Sequence, residues 1–119
     1  MSRLAEISIA EQDGLVVAHL EGELDLSNVV DVGDALAAAV SDGAVGLVAD
    51  MGGIRHIDSA GVRMLFDLRR RLRQHRQGFA LAVPADARIR DVLELAAVGD
   101  TVPLLTDVES AVEAVRAGG

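Results

Sequence analysis

The sequence predicts an α/β fold in which a mixed, largely parallel β-sheet of about five strands carries four main helices. Three observations lead to this prediction. The chain opens with two short segments on either side of a turn, as a β-hairpin does. Apolar strand segments then alternate with segments of helical periodicity, the pattern of parallel strands joined by crossover helices. Half of the 119 residues are hydrophobic but only 2% are aromatic, so the core must be built from aliphatic side chains.

The hairpin is predicted at the start of the chain. Glu6 to Ala10 alternates between polar and apolar residues, as a half-buried strand does. The sequence Gln12-Asp13-Gly14 has turn chemistry. Leu15 to Leu20 is apolar enough to form the second strand of the pair.

One helix and a central strand complete the first half of the chain. Asp25 or Ser27 can cap a helix that ends at Asp42-Gly43. Its apolar stripe is Val29, Val32, Leu36 and Val40. The apolar run Val45 to Ala49 is typical of a strand covered on both faces. The segment from Asp50 to Asp58, which contains a glycine pair, is predicted as a loop.

The longest helix is expected from about Ala60 to Arg76, with Gly78 as its stop signal. Its inward stripe consists of Gly61, Leu65, Leu68 and Leu72. The apolar segment Phe79 to Val83 follows as the next strand. Strand, helix and strand in this order favour a parallel pair with a right-handed crossover.

The last quarter of the chain adds two helices around a short strand. Pro84-Ala85-Asp86 leads into a helix with an apolar face, Ile89, Val92, Leu93 and Ala96. Val102 to Leu105 is the strand. A capping box at Thr106-Asp107-Val108-Glu109 opens the final helix, which runs through Val112 and Val115.

Composition limits the possible functions. A single domain is expected at this length. No apolar run approaches the ~18 residues that span a bilayer, and the first six residues lack the layout of a signal peptide, so a cytoplasmic protein without membrane contact is expected. The chain has no cysteine and no lysine, which excludes disulfides, thiolate metal ligands and the lysine of a phosphate-binding loop.

The net charge of −8 is unevenly distributed. Residues 1–58 hold eleven acids and two arginines, whereas residues 59–119 hold eight acids and nine arginines. Six of the arginines fall between Arg63 and Arg76, where a solvated helix face is the simplest interpretation. An acidic protein of this kind is not expected to bind nucleic acid, because phosphate contacts dominate that affinity.

Ser59 stands at a position that would tolerate a phosphate group. This residue stands where the segment after the third strand turns into a helix, and sites in open α/β sheets gather at the carboxyl ends of strands. The helix N-terminus offers unpaired N–H groups and partial positive charge, so an attached phosphate would be tolerated while adding about two negative charges. The local pattern alone favours a plainer role, that of an N-cap.

A catalytic role for Ser59 has little support. A nucleophile elbow requires glycine where this chain has Ile57, and a Ser-His-Asp hydrolase requires a histidine base. His56 lies in the approach to the serine, His75 lies roughly 20 Å along the helix at ~1.5 Å per residue, and His19 lies within a strand. No catalytic residue is therefore predicted.

No metal site or cofactor is predicted either. Glu21, Glu23 and Asp25 share strand alternation, but without neighbouring histidines or an oxygen-rich loop they form a solvated acidic edge. Gly52-Gly53 is a weak indication of nucleotide binding and more often marks a turn.

Two motifs, Gly22-Glu23-Leu24-Asp25 and Ile57-Asp58-Ser59-Ala60-Gly61, resemble the STAS domain family, specifically the bacterial anti-sigma factor antagonists. The resemblance extends over nearly the whole chain and includes the Val92-Leu93-Glu94-Leu95 helix. It implies a STAS-like fold with residues 1–117 as a single domain and 118–119 as a loose tail.

The resemblance implies partner switching. In this family the unphosphorylated antagonist binds an anti-sigma factor that is also a serine kinase, and a sigma factor is released for transcription. The kinase then phosphorylates the position of Ser59, which breaks the complex, and a Ser/Thr phosphatase acting on phospho-Ser59 resets it. The implied partner-binding residues are Asp25, Asp58, Ser59, Ala60, Gly61 and Arg63. A monomer or weak dimer is expected.

Other functions remain open at this stage. Some STAS proteins resemble accessory subunits of lipid-transport ATPases or scaffolds of stress-signalling assemblies, and a small hydrolase using Ser59 is a third hypothesis. The chain also departs from the family after the serine motif. Members commonly continue with Gly-Leu, whereas this chain has Val62-Arg63-Met64, and Arg63 changes the surface at which a partner would dock.

Overall fold

The structure, a computed structural model, describes residues 5–118 and contains the mixed sheet that the sequence predicts. The five strands are Glu6–Gln12 (β1), Leu15–Leu24 (β2), Gly46–Ile57 (β3), Gly78–Ala82 (β4) and Leu104–Leu105 (β5). The four helices are Val29–Ala39 (α1), Ser59–Gln74 (α2), Arg88–Leu95 (α3) and Val108–Arg116 (α4), with a short 3₁₀ helix at Val98–Asp100. Of the expected tail at 118–119, Gly119 lies outside the described residues.

The strands lie in the order β1-β2-β3-β4-β5. The hairpin pair β1 and β2 is antiparallel, and every later pair is parallel. Each parallel connection contains helical structure, as the crossover rule requires. In residues 5–118, no helix has both the length and the apolar character that a membrane crossing would demand.

Two hydrophobic clusters cover the two faces of the sheet. Alternate side chains along each strand point to opposite faces, so β2 contributes to both clusters. Helices α1, α2 and α3 pack over one face, where the predicted stripe of α2 is buried. Helix α4 packs over the other face, against Leu15, Val17, Val48, Ala80 and Ala82. The expectation of a strand covered on both faces is therefore confirmed at the start of β3.

The predicted loop from Asp50 to Asp58 is wrong. Strand β3 continues to Ile57 and pairs with β2 as far as Leu24. Its exposure pattern does not alternate there, because the pairing with β2 shifts register twice. A strand that lacks period-two alternation and contains two glycines carries the sequence signals of a loop.

The glycines in this region permit the irregular pairing. Gly22 adopts φ +110° in the bulged part of β2, a conformation that L-residues rarely accept. A Cβ at Gly53 would lie 2.8 Å from the carbonyl oxygen of Leu20 and 2.7 Å from Cγ of Glu21. Gly53 belongs to the glycine pair that resembles a turn in the sequence. In the structure it lies where two neighbouring strands approach each other closely.

Two predicted helix caps are also wrong. Helix α1 begins after Asn28, and neither Asp25 nor Ser27 caps it, because their side chains bond to each other instead. Helix α4 is capped by Asp107, whose carboxylate accepts a hydrogen bond from the backbone N–H of Ser110 at 2.7 Å. The cap of α4 therefore lies one residue after Thr106, the first residue of the predicted capping box.

Helix α2 ends at Gln74, four residues before the glycine that was expected to stop it. The backbone N–H of Gln77 bonds to the carbonyl of Leu72 at 2.9 Å, and that of Arg76 bonds to the carbonyl of Arg73 at 2.9 Å. This is the Schellman arrangement, in which the residue after the C-cap is left-handed and is usually glycine. Here that residue is Arg76, with φ +59°.

Replacement of Arg76 by glycine is therefore expected to stabilise the fold. A left-handed L-residue costs about 1–2 kcal/mol, and glycine loses part of that gain through backbone entropy. We expect the free energy of unfolding to rise by about 0.5–1 kcal/mol in urea denaturation. Arg73→Gly is the control, because it places glycine inside the helix and should lower the same quantity by about 1 kcal/mol. A loss of stability in Arg76→Gly would contradict the strain at this position.

Candidate functional site

The ends of two neighbouring strands bring the sequence-predicted residues together. Strand β4 pairs with β3 only as far as Asp50, and beyond that point β2 and β3 continue as a two-stranded ribbon. The ribbon ends at the paired residues Leu24 and Ile57. Asp25 and Asp58 come immediately after these two residues, so the loop into α1 and the start of α2 lie side by side.

Asp58 joins the two segments. Its Oδ1 accepts a hydrogen bond from the backbone N–H of Gly61 at 3.0 Å, which makes it the N-cap of α2. Its Oδ2 accepts from the backbone N–H of Leu26 at 3.3 Å, and its own N–H donates to the carbonyl of Leu24 at 3.1 Å. One side chain therefore caps the helix and fixes the loop between β2 and α1.

Ser59 is the first residue of α2, and its side chain is exposed. The interpretation of Ser59 as a plain N-cap is wrong, because Asp58 performs that role. The serine hydroxyl is consequently not the group that caps the helix. It is presented to solvent at the positive end of a 16-residue helix, where an added phosphate is electrostatically tolerated.

Asp25 is a fixed negative charge in the loop that adjoins the start of α2. Its Oδ1 accepts hydrogen bonds from the Ser27 hydroxyl at 2.5 Å and from the Ser27 backbone N–H at 2.9 Å. These two bonds, the hydroxyl first, hold the pKa of Asp25 below its ordinary value, and nearby His56 lowers it further against a small opposing effect of desolvation. Asp25 is therefore ionised at neutral pH.

The loop that carries Asp25 is held by a buried amide. The side chain of Asn28 is 2% exposed, donates from Nδ2 to the carbonyl of Glu23 at 2.8 Å and accepts at Oδ1 from the backbone N–H of Asp25 at 3.1 Å. The sequence analysis missed this residue. An asparagine directly before an apolar helix stripe is a capping signal, and it could have been considered beside Asp25 and Ser27.

Gly61 and its neighbours show why small residues follow the serine. Gly61 is buried, and a Cβ there would lie 2.5 Å from Cγ1 of Ile57 and 3.0 Å from the carbonyl oxygen of Leu24. Helix α2 can therefore approach both strand ends only because this position lacks a side chain. Ala60 is half-buried and Arg63 is exposed, so both face the surface next to Ser59.

A shallow groove of about 280 Å³, lined by both apolar and charged side chains, runs from this site between α1 and α2. Leu26 is 79% exposed and Val30 is 70% exposed on its rim. Ala60 and Arg63 line the groove, and an ion pair between Asp34 and Arg71 at 3.3 Å lies along it. Leu26 and Val30 were missed by the sequence analysis, although both are apolar residues that fall outside the buried stripe of α1.

The acidic residues on the sheet do not form a metal site. His19 bonds to Asp50 at 2.7 Å, and Glu23 lies 3.9 Å from Arg55. Within residues 5–118, no three His, Cys, Asp or Glu side chains come together in a way that could hold a metal ion. The arrangement at Ser59 is that of an exposed modifiable hydroxyl next to an apolar surface, which suits reversible binding of a protein.

Comparison with known proteins gives one matching family. Residues 6–111 match the STAS domain family. BtrV of Bordetella bronchiseptica, named "Putative anti-sigma factor antagonist", is 28% identical over 111 residues, which cover 93% of this chain and 95% of that protein.

Solved structures share the fold. An anti-sigma factor antagonist from Mycobacterium paratuberculosis superposes with a TM-score of 0.82 at 26% identity, covering 94% of both chains. The anti-sigma factor antagonist SpoIIAA in its unphosphorylated form superposes with a TM-score of 0.72 at 24% identity, covering 94% of this chain and 97% of that one. Bacillus SpoIIAA in its phosphorylated form gives a TM-score of 0.65 at 22% identity, covering 93% of this chain and 100% of that one.

Proposed function

The chain belongs to the STAS domain family, and from that premise we propose that it is an anti-sigma factor antagonist switched by phosphorylation of Ser59. In the unphosphorylated state it binds an anti-sigma factor that is also a serine kinase, so that a sigma factor is released. Phosphorylation of Ser59 by that kinase ends the interaction, and a Ser/Thr phosphatase restores it. The protein acts in the cytoplasm, as a monomer or weak dimer, and is not itself an enzyme.

The observation that carries this proposal is the division of roles between Asp58 and Ser59. Asp58 caps α2, so the hydroxyl of Ser59 is exposed at the first position of the helix. A kinase requires an accessible hydroxyl, which Ser59 supplies. The fold requires a hydrogen-bond acceptor at the start of α2, which Asp58 supplies. A phosphate can therefore be added and removed without loss of the cap.

The names of the relatives point to the same function. BtrV is named as a putative anti-sigma factor antagonist and matches almost end to end. The antagonist from Mycobacterium paratuberculosis has a similar length and fold. SpoIIAA is known in both unphosphorylated and phosphorylated forms, and the switch proposed for Ser59 is of the same kind.

The proposed docking surface is the groove between α1 and α2 together with the helix start beside it. Exposed Leu26 and Val30 supply apolar contact area, and its removal from water favours association. Arg63 lines the groove, and Asp25 and Ser59 lie next in the chain to its lining residues Leu26 and Ala60, so these three residues are the proposed polar contacts. Asp58, Ala60 and Gly61 belong to the same proposed surface, Gly61 through the close packing that positions the helix.

Phosphorylation would change the charge of this surface more than its shape. Asp58 directly precedes Ser59 and Asp25 lies in the adjoining loop, so a phosphate would add about two negative charges to a surface that already carries two carboxylates. The α2 N-terminus partly compensates that charge within the folded protein. A partner surface packed against Ser59 has no such compensation and must bury the dianion, which opposes binding.

The direct test is phosphorylation by the cognate anti-sigma factor kinase with ATP, followed by mass spectrometry of the intact protein and its peptides. We expect one phosphate, located on Ser59, and none in Ser59→Ala. Ser8→Ala is the control, because Ser8 is also exposed but lies on β1, outside the loop that carries Asp25; it should leave phosphorylation of Ser59 intact. Phosphate on Ser27, or unmodified Ser59 with a kinase that binds the protein, would refute the proposed switch.

A further inference from the structure

A second concave surface lies at the opposite end of α2 from Ser59. We call it the arginine pocket, and its volume is about 470 Å³. Four of its lining residues are the arginines Arg69, Arg73, Arg76 and Arg116. Ser59 and Arg73 are fourteen residues apart on one helix, which corresponds to roughly 20 Å at 1.5 Å per residue. The pocket is therefore separate from the proposed phosphorylation site.

Within residues 5–118, the arginines of the pocket have no acidic side chain as a partner. No Asp or Glu of the described chain lines it, although the protein has 19 acidic residues and a net charge of −8. Within residues 5–118, the arginine ion pairs engage Arg55, Arg70, Arg71 and Arg90, and none of the four pocket arginines. Arg70 and Arg71 lie on other sides of the same helix. The arginines of α2 that form ion pairs and those that line the pocket are therefore on different faces of the helix.

Backbone carbonyls orient two of the guanidinium groups. Nε of Arg69 donates to the carbonyl of Thr101, and Nη2 of Arg116 donates to the carbonyl of Gln12 at 3.0 Å. A carbonyl oxygen fixes a guanidinium without cancelling its charge, and an arginine has five N–H donors. Each of these arginines therefore keeps donors available for an anion.

The wall beside the arginines is rigid. The buried side chain of Gln77 donates to the carbonyls of Ser41 at 2.8 Å and Ala44 at 3.2 Å. Phe79 and Val115 form an apolar floor. The carbonyl end of α2 carries a partial charge of about −0.5, but four guanidinium charges exceed it several-fold.

We propose that the arginine pocket binds a small polyphosphate anion, with two or more linked phosphate groups. Arginine recognises phosphate by paired, charge-assisted hydrogen bonds, and several guanidiniums on one concavity match a ligand with several phosphate groups. The pocket volume falls within the range of about 300–1,000 Å³ found for small-molecule sites. The apolar floor leaves room for an organic group, so the ligand is either an inorganic polyphosphate or a nucleotide polyphosphate.

The test is isothermal titration calorimetry with sodium tripolyphosphate, without magnesium and at constant ionic strength. We expect saturable binding with one ligand per chain. The double variant Arg73→Gln, Arg116→Gln should bind at least about tenfold more weakly, because each charge-assisted bond contributes about that factor. Amide chemical shifts should change around Gln77, Gly78 and Gly118, and an unchanged thermal midpoint shows that the variant is folded.

Arg70→Gln is the matched control, since Arg70 lies on the same helix outside the pocket and pairs with Asp67 at 3.0 Å. It should retain the affinity of the parent protein, and so should Ser59→Ala. Parallel titration with ATP distinguishes the two kinds of ligand. If ATP and tripolyphosphate bind with equal affinity, the pocket recognises the phosphates alone. If ATP binds more tightly, the nucleoside also contributes to binding. The proposal would be overturned if Arg70→Gln lost as much affinity as the double variant or if binding were not saturable. Chemical shift changes centred on Ser59 would also overturn it.

Discussion

Phosphoserine at position 59 is expected to raise the dissociation constant for the anti-sigma factor by about 100-fold or more. Ser59 directly follows Asp58, Asp25 lies in the adjoining loop, and the pKa of Asp25 is lowered, so that this carboxylate stays ionised at neutral pH. A partner packed against Ser59 must bury the added charge, an uncompensated buried charge costs several kcal/mol, and each 1.4 kcal/mol corresponds to a factor of about ten. Calorimetry with fully phosphorylated and unphosphorylated protein measures the difference directly.

Two substitutions of Ser59 separate the effect of added negative charge on binding from the effect of losing the hydroxyl group. Ser59→Asp should weaken the complex in the same direction, by less than phosphoserine, because it adds one negative charge instead of about two. Ser59→Ala should bind and remain bound in the presence of kinase and ATP. Ser110→Asp is the charge control, because it adds a carboxylate to the first turn of α4, on the opposite face of the sheet. Equal binding by Ser59→Asp and the parent protein would contradict the electrostatic basis of the switch.

Gly46→Ala is expected to destabilise the fold by about 3 kcal/mol or more. A Cβ at Gly46 would lie 2.5 Å from the carbonyl oxygen of Gly78 and 2.8 Å from its nitrogen, and also 2.8 Å from Cγ1 of Val115. Overpacking in a core costs about 1–3 kcal/mol when side chains can adjust, but here two of the three contacts are backbone atoms of the neighbouring strand β4. Since a domain of this size has a stability of about 5–15 kcal/mol, the loss should be visible as a much lower urea midpoint.

Gly43→Ala is the matched control for that measurement. It adds the same methyl group three residues earlier, where a Cβ meets nothing within 4 Å. The free energy of unfolding should change by less than about 0.5 kcal/mol, as for most surface substitutions. Similar stabilities of the two variants would show that β3 and β4 can separate at Gly46 without cost, against the packing described above.

Much of the fold follows from local sequence. The aliphatic stripes of α1 and α2 repeat every three or four residues, and the opening hairpin has a clear turn at Asp13-Gly14. These signals arise from contacts between near neighbours, so they are visible without knowledge of the rest of the chain. The identity of the family and the candidate serine were also accessible, because both motifs are short and contiguous.

The features that were predicted incorrectly depend on distant partners. The second half of β3 resembles a loop in the sequence because its exposure pattern is set by a bulged neighbour, β2. The true caps were not identified because several polar residues compete at each helix start, and only the three-dimensional arrangement selects one. Arg76 has a left-handed backbone because it occupies the position after the C-cap of α2, where glycine is usual.

The sequence by itself determined the α/β class, the order of the elements, the STAS resemblance and Ser59 as the residue to test. The tertiary structure decided that Asp58, and not Ser59, caps α2, that Leu26 and Val30 are exposed beside it, and that four arginines converge at the far end. The physical reason is the range of the interactions. Periodicity and motifs are local, whereas exposure and charge clustering depend on which distant segments the sheet brings together.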